Sequence, residues 1–255
     1  MLFDPYWSYR ELIWNLVKAN LKLKYRNSAL GFIWSFLNPL AMSLVLIFVF
    51  MHVFKFQIAN YPAYLLTGII TWRFFASTSY SLRSISLNSH VIKKIYFPRE
   101  ILVFSACLFS FTVSLFEFVV LIVLLMLLGV NFSAYMLLLP LFLAALFLMV
   151  YGVSLALSAI SVYYRDLEHI WEILLQVGFY AAPIVYPGDI LPQQYYNILL
   201  VNPMSHFVIS IRYITIYSEL PHLGSIIGII AFTLFSLILG TIIFRRYEPG
   251  FGEKL

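Results

Sequence analysis

Residues Ile101 to Val130 read ILVFSACLFSFTVSLFEFVVLIVLLMLLGV, and Glu117 is the only charged side chain among them. A helix needs about 20 apolar residues to cross the hydrocarbon core of a bilayer, where it satisfies its own backbone hydrogen bonds. Strands of a membrane barrel would instead alternate apolar and polar residues over about ten positions. The segment therefore predicts a transmembrane helix.

Five other apolar runs accompany this one. Hydrophobic residues make up 62% of the chain and charged residues 11%, whereas a soluble domain has about 45–50% and about 25%. We therefore expect an all-α membrane protein, a single domain over residues 1–255 with a six-helix bundle at 32–244. The predicted transmembrane helices are Phe32–Phe54, Tyr61–Leu82, Ile101–Val130, Tyr135–Tyr163, Ile170–Tyr186 and Leu223–Phe244.

Basic residues predict the orientation of this bundle. If the N-terminus is cytoplasmic, thirteen of the 16 Lys and Arg residues fall in inner segments, Lys55 and Arg212 fall outside, and Arg73 lies within a span. Cytoplasmic segments of membrane proteins are rich in Lys and Arg. The sequence thus predicts a multi-pass protein with both termini in the cytoplasm.

The N-terminal segment, residues 4–24, has the pattern of an amphipathic interface helix. Asp4 followed by Pro5 is typical of a helix start. Polar residues then recur every three or four positions opposite an apolar face. The polar set comprises Glu11, Asn15, Lys18 and Lys22. Such a helix lies in the membrane interface, and the pattern fits either a general anchor or a docking surface for a cytoplasmic partner.

Residues 187–221 do not fit a seventh span. The segment is apolar, but prolines interrupt it and it carries Asp189, Arg212 and Glu219. A further span would also place the basic C-terminal tail outside. Irregular backbone at membrane depth is tolerated where it packs against protein or lines a polar cavity. We predict short re-entrant helices between spans five and six, at the outer mouth of a pathway.

Two charged residues lie near the middle of predicted spans, Arg73 in the second and Glu117 in the third. A charge at the centre of a membrane costs at least about 2.5–3.5 kcal/mol, so each needs a partner or a hydrated surface. We predict that the two side chains pair. The pair would either fix helix packing alone or contact a substrate as well.

The sequence lacks the signatures of several catalytic sites. It contains no glycine-rich phosphate-binding loop and no Gly-x-Ser-x-Gly element. Its five histidines are dispersed without ligand spacing, and the single cysteine, Cys107, has no partner for a disulfide or a metal site. We expect a chain without catalytic residues and without a metal site.

Four blocks stand in order along the chain. They are LKYRNSALGFIW at 23–34 with Asn38-Pro39 after it, GIITWRFF at 68–75 within the second predicted span, IKKIYFPRE at 92–100, and YRDL at 164–167 followed by APIVYP at 182–187. Together they resemble ABC-2 type permeases, most closely the subunits that export O-antigen, capsule or teichoic acid polymers. The resemblance covers most of the chain.

The resemblance implies the partners of the chain. It implies a homodimer in the bacterial cytoplasmic (inner) membrane, bound to two copies of a separate cytoplasmic ATPase that would hold ATP and Mg. It also implies a lipid-linked glycan substrate within membrane lipid, and no nucleic acid. The residues expected to couple to the ATPase are Lys93, Lys94, Tyr96, Phe97, Pro98, Arg99, Arg165 and Asp166. We expect Phe97-Pro98 to form an exposed apolar element that anchors this contact.

Aromatic residues make up 18% of the chain. Many suit an interfacial belt, and aromatic rings also offer apolar faces to sugar rings. By family analogy the first and fifth spans face the dimer axis, which makes Phe36, Phe48, Phe179 and Tyr180 the candidates for lining a channel. Ordinary helix packing is the alternative for each of them.

Two rival functions share part of this pattern. An ABC-2 exporter of a drug or a small lipid would have the same spans and docking loops, although the polysaccharide-type blocks and the aromatic content argue against it. A membrane glycan transferase would need acids or histidines converging on one face. The dispersed histidines argue against such an enzyme.

Overall fold

A computed structural model describes residues 7–26, 31–53, 60–92, 97–188, 192 and 197–254. Every regular element in these ranges is helical. The principal helices are α1 (Arg10–Tyr25), α2 (Trp34–Phe48), α3 (Tyr61–Ala76), α4 (Thr78–Leu82), α5 (Glu100–Leu127), α6 (Leu139–Ser161), α7 (Leu167–Ala181), α8 (Pro203–Arg212) and α9 (Leu223–Tyr247).

Three helical segments are long and apolar enough to cross a membrane: Glu100–Leu127, Ala134–Ser161 and Leu223–Gly250. A shorter apolar helical stretch, Leu37–Val53, comprises most of α2 and the π-helical turn after it. The prediction of a helical membrane protein is therefore confirmed at this level, and the count of six spans stays a prediction.

Two predicted spans have different boundaries in the structure. The fifth was expected at Ile170–Tyr186, but α7 ends at Ala181. Ala182 is extended, with φ −101° and ψ 150°, because the residue before a proline is disfavoured in the helical region and Pro183 follows it. The second span is divided into α3 and α4 at Ser77, whose hydroxyl donates to the carbonyl of Phe74 at 2.6 Å.

Helices α6 and α9 pack with their backbones in close contact. A Cβ atom at Gly240 would collide with the carbonyl oxygen of Gly152, and one at Gly152 would collide with the backbone of Ser236. Small residues at such crossings allow transmembrane helices to approach closely. Ser236 and Gly240, four positions apart on α9, therefore form the small-residue face of this contact.

Helix α8 lies between the predicted fifth and sixth spans. It begins after Asn202, whose side chain accepts a hydrogen bond from the Met204 amide at 3.0 Å, and it continues as a π-helical turn at Tyr213–Tyr217. Most of its side chains are buried. Within the predicted re-entrant segment, residues 189–191 and 193–196 lie outside the described ranges, and the depth of the segment in a membrane stays a prediction.

Candidate functional site

Helix α1 has the two faces that its sequence predicts. Ile13 and Val17 are buried, and Val17 packs in a small cluster with Phe109 and Val113 of α5. The polar positions are all exposed: Glu11, Asn15, Lys18 and Lys22. The helix start expected at Asp4-Pro5 lies outside the described residues. The apolar face of α1 is therefore held against α5, which fixes the position of its basic C-terminal end.

The structure brings Arg73 and Glu117 together, as the sequence predicts. Nη2 of Arg73 lies 3.1 Å from Oε1 of Glu117. The Glu117 side chain is 4% exposed and the Arg73 side chain is 33% exposed. Nε of Arg73 is buried, and it has no hydrogen-bond partner among the described residues. The pair thus links α3 to α5 while one side of the guanidinium stays open to a cavity.

A cavity of about 540 Å³ lies between the end of α1 and helices α3 and α5. Lys24 contributes to its wall from α1, and Nζ of Lys24 lies 5.7 Å from the centre of the Phe109 ring. Partial burial lowers the pKa of Lys24 from its ordinary value, and the negative charge of Glu117 opposes that shift. The cavity therefore combines cationic, hydroxyl and apolar surface.

A second cavity, of about 330 Å³, lies between α2, α3 and α7. Its wall includes Arg73, so this guanidinium contributes to both cavities. Two of the predicted channel residues, Phe179 and Tyr180, also line it. The Phe179 side chain is 8% exposed and meets Trp72 edge-on at 6.0 Å between ring centres. Phe179 therefore contributes to the cavity from a packed position on α7.

Helices α2 and α7 present apolar side chains outward. Phe48 on α2 is 61% exposed and Tyr180 on α7 is 69% exposed. The side chain of Phe36 lies outside the description. Further exposed apolar residues of α7 are Ile170, Ile173, Leu174 and Val177. These two helices therefore carry apolar faces that no other described part of the chain covers.

The expected exposure of Phe97 is wrong. Lys93, Lys94 and Tyr96 lie outside the described residues, but the Phe97 side chain is 5% exposed and belongs to the main core. Burial is the favourable outcome for this ring, because a large aromatic side chain gains free energy when it leaves water. Phe97 is therefore not the exposed apolar element that the sequence predicted, whereas Pro98 remains partly exposed.

Arg99 contacts the C-terminal tail of the same chain. Its guanidinium donates to the carbonyl of Glu248 and lies 5.7 Å from the ring centre of Phe251, which is fully buried. The hydroxyl of Tyr163 donates to the carbonyl of Tyr247 at 3.0 Å. Sequence reasoning missed this tail, although an aromatic residue after a Pro-Gly pair was its signal. The tail therefore joins two predicted cytoplasmic loops: the first, between spans two and three, contains Arg99, and the second, between spans four and five, begins at Tyr163.

Arg165 and Asp166 are both exposed, just before α7. The ion pair of this region is instead formed by Arg83 and Glu168, and Arg83 Nη2 also lies 3.8 Å from Oε1 of Glu172. The Arg83–Glu168 pair was not predicted from the sequence. Its signal was the opposite charge of the two residues, since Arg83 follows the second predicted span and Glu168 precedes the fifth, both on the predicted inner side. Arg83, Arg165 and Glu168 line a cavity of about 360 Å³.

These features define a helical membrane protein with an amphipathic N-terminal helix, an ion pair between helices and two connected loops on one side. The chain belongs to the ABC-2 type transporter family, whose pattern matches residues 11–216.

Several export proteins are similar to the chain over almost its whole length. The O-antigen export system permease protein RfbA of Klebsiella pneumoniae is 31% identical over 96% of this chain and 95% of its own length. The protein of the same description from Myxococcus xanthus is 29% identical, over 98% and 97%. The polysialic acid transport protein KpsM of Escherichia coli is 24% identical, over 92% and 93%.

Proposed function

We propose that this chain is the transmembrane subunit of an ATP-driven exporter that moves a lipid-linked polysaccharide across the bacterial cytoplasmic membrane. The observation that carries the proposal is the 31% identity to an O-antigen export permease over 96% of the chain. The long apolar helices and the membership of the ABC-2 family support it. ATP and Mg would be bound by a separate cytoplasmic ATPase.

The arrangement of α2 and α7 supports a homodimer. Both helices carry exposed apolar side chains, and they flank the cavity that includes Phe179 and Tyr180. A second copy packed on these faces would enclose a passage between the two protomers. The aromatic rings would then give a glycan weak apolar contacts at many points, which suits movement better than tight binding.

The contacts between the two predicted cytoplasmic loops support coupling to the ATPase. The ATPase would bind at the end of the bundle where α4 lies. Arg83 joins the first predicted cytoplasmic loop to Glu168, and the tail joins Arg99 to the second loop through Tyr163. A partner that pushed on one loop would therefore move both. Six spans, cytoplasmic termini and re-entrant helices around α8 complete the proposed topology.

Deletion of the gene tests the function against its rivals. We expect complete lipid-linked polysaccharide to accumulate at the cytoplasmic face, and surface polysaccharide to return when the wild-type gene is restored. Loss of a glycan transferase would instead prevent the polymer from being made. Loss of a drug or small-lipid exporter would leave surface polysaccharide at its normal level, and that result would contradict the proposal.

Cysteine cross-linking tests the dimer. The native Cys107 is fully buried, so an introduced Val177→Cys would supply the reactive thiol. We expect Val177→Cys to form a disulfide-linked dimer in membranes, because disulfides form only when the two Cα atoms lie within about 7 Å. Ile230→Cys is the control, since Ile230 is similarly exposed on α9. Equal cross-linking of both variants would contradict the proposed interface.

A further inference from the structure

The cavity between α1, α3 and α5 has more positive than negative charge. Among the described residues of its wall, Lys24 and Arg73 are the cations and Glu117 is the single carboxylate. Among the described residues, Glu117 pairs with Arg73, and Lys24 takes part in no ion pair. Two cations against one anion leave one positive charge in excess. An excess charge beside hydrocarbon is costly unless an anion or water compensates it.

The polar groups of the wall suit a phosphate. Arg73 lines the wall with a guanidinium whose buried Nε has no hydrogen-bond partner among the described residues, and Lys24 supplies an ammonium. The hydroxyl-bearing side chains of Ser110 and Ser114, both nearly buried, lie in the same wall. Guanidinium and ammonium groups bind phosphate oxygens through short charge-assisted hydrogen bonds, and hydroxyls add neutral donors.

The remaining wall suits a hydrocarbon chain. Leu23, Phe109 and Val113 contribute apolar surface next to the charged groups. On the proposed orientation, the basic end of α1 lies at the level of the cytoplasmic leaflet. A free phosphate would leave the apolar part of the cavity unmatched, whereas a lipid carries both a phosphate and chains. Because cationic and apolar residues lie side by side in this cavity, it suits an amphipathic anion better than an inorganic one.

We propose that this cavity binds the phosphate group of a lipid in the cytoplasmic leaflet, with Lys24 and Arg73 as its cationic ligands. Two sources share this chemistry: a membrane phospholipid and the lipid that carries the glycan. The second source rests on the proposed function and would make the cavity the place where the substrate's lipid end first docks. Arg73 lines both cavities, so its guanidinium lies between this lipid site and the cavity of Phe179 and Tyr180.

The experiment compares two lipids that differ in the phosphate alone. The full-length chain in nanodiscs is loaded with phosphatidic acid or with diacylglycerol of the same acyl chains, and native mass spectrometry measures the lipid retained. We expect Lys24→Gln to lower the preference for phosphatidic acid by about tenfold, since a charge-assisted hydrogen bond is removed. Lys24→Arg should restore the preference because it returns the charge.

Lys22→Gln is the matched control, because Lys22 and Lys24 are both exposed on the same helix and only Lys24 lines the cavity. Its preference should equal that of the wild type. Ser114→Ala is a second variant on another helix, and we expect a smaller loss in the same direction. An unchanged preference in both Lys24→Gln and Ser114→Ala would overturn the proposal, as would an equal loss in Lys22→Gln.

Competition distinguishes the two lipid sources. Lipid-linked glycan purified from the host and phosphatidylglycerol are each tested for displacement of phosphatidic acid. Displacement by the glycan lipid identifies a substrate site, and displacement by phosphatidylglycerol alone identifies a structural lipid site; both support phosphate binding. Displacement by neither would overturn it. Export itself is judged separately by polysaccharide accumulation in the deletion strain, so a failure here leaves that result intact.

Discussion

The guanidinium of Arg212 lies 3.3 Å from the centre of the Tyr64 ring and donates through Nε to the Tyr64 carbonyl at 3.1 Å. Its other nitrogens donate to the carbonyls of Pro183 and Ile184, the latter at 2.8 Å. These two carbonyls follow the end of α7, where no further helical turn is available to pair them. One buried arginine therefore holds α3, α8 and the end of α7 together.

Replacement of Arg212 should destabilise the protein strongly. Arg212→Met would remove the donor of the Ile184 carbonyl and one donor of the Pro183 carbonyl, which still accepts from the Tyr64 hydroxyl at 3.3 Å. An unsatisfied buried group costs about 1–3 kcal/mol. Arg212→Lys would keep the charge but lose the planar fork. We expect both variants to unfold at lower temperature in detergent, with Met the more severe. Arg246→Met, at an exposed site, is the control, and an unchanged melting temperature in Arg212→Met would contradict this role.

The contact between α6 and α9 gives a second prediction. Gly240→Ala would place a methyl group against the carbonyl of Gly152, and backbone atoms cannot move aside as a flexible side chain can. Forcing extra volume into a packed site costs about 1–3 kcal/mol, which a melting curve in detergent would show. Gly224→Ala is on the same helix, and its added methyl group would have no atom of the described residues within 4 Å. It should melt like the wild type, and similar losses in both variants would argue against close packing.

Much of the framework could be predicted from local sequence. Periodicity gave the buried face of α1 with Ile13 and Val17, and the cost of membrane charges predicted the Arg73–Glu117 pair. The failures concern residues whose partners lie far along the chain. Phe97 was expected at the surface because nothing local reveals the core that covers it. The buried contacts of Arg212 with residues 64, 183 and 184 were likewise missed, while its place in an outer segment stays a prediction.

The C-terminal tail gives a third prediction, which concerns coupling. Phe251→Ala removes the buried ring over which Arg99 lies, and truncation of a buried Phe costs about 3–5 kcal/mol. Because the tail is short, we expect it to detach locally while the helices stay folded. Hydrogen exchange should rise at residues 97–101 and 161–166, and ATP hydrolysis by the bound partner should no longer respond to substrate.

Phe235→Ala is the matched control for this variant. Phe235 lies on α9, the helix that leads to the tail, and is 63% exposed. Its replacement therefore removes a phenylalanine ring from the same helix without removing a buried side chain. Its hydrogen exchange at both loops and its ATP hydrolysis should match the wild type. Normal exchange at the loops in Phe251→Ala would show that the tail does not hold them.

The Arg73–Glu117 pair gives the last prediction, which separates packing from contact with substrate. Arg73→Gln and Glu117→Gln each leave one charge without its partner. Breaking a fully buried pair costs about 3–5 kcal/mol, and the partial exposure of Arg73 makes the expected cost smaller here. The double variant removes both charges, so its loss in melting temperature should be smaller than the sum of the two single losses. Export of polysaccharide then decides the role. Normal export by a stable double variant would show that export does not need the two charges, whereas lost export at wild-type stability would show that the pair acts in export beyond helix packing. Strictly additive losses in stability would contradict the coupling that the 3.1 Å distance implies.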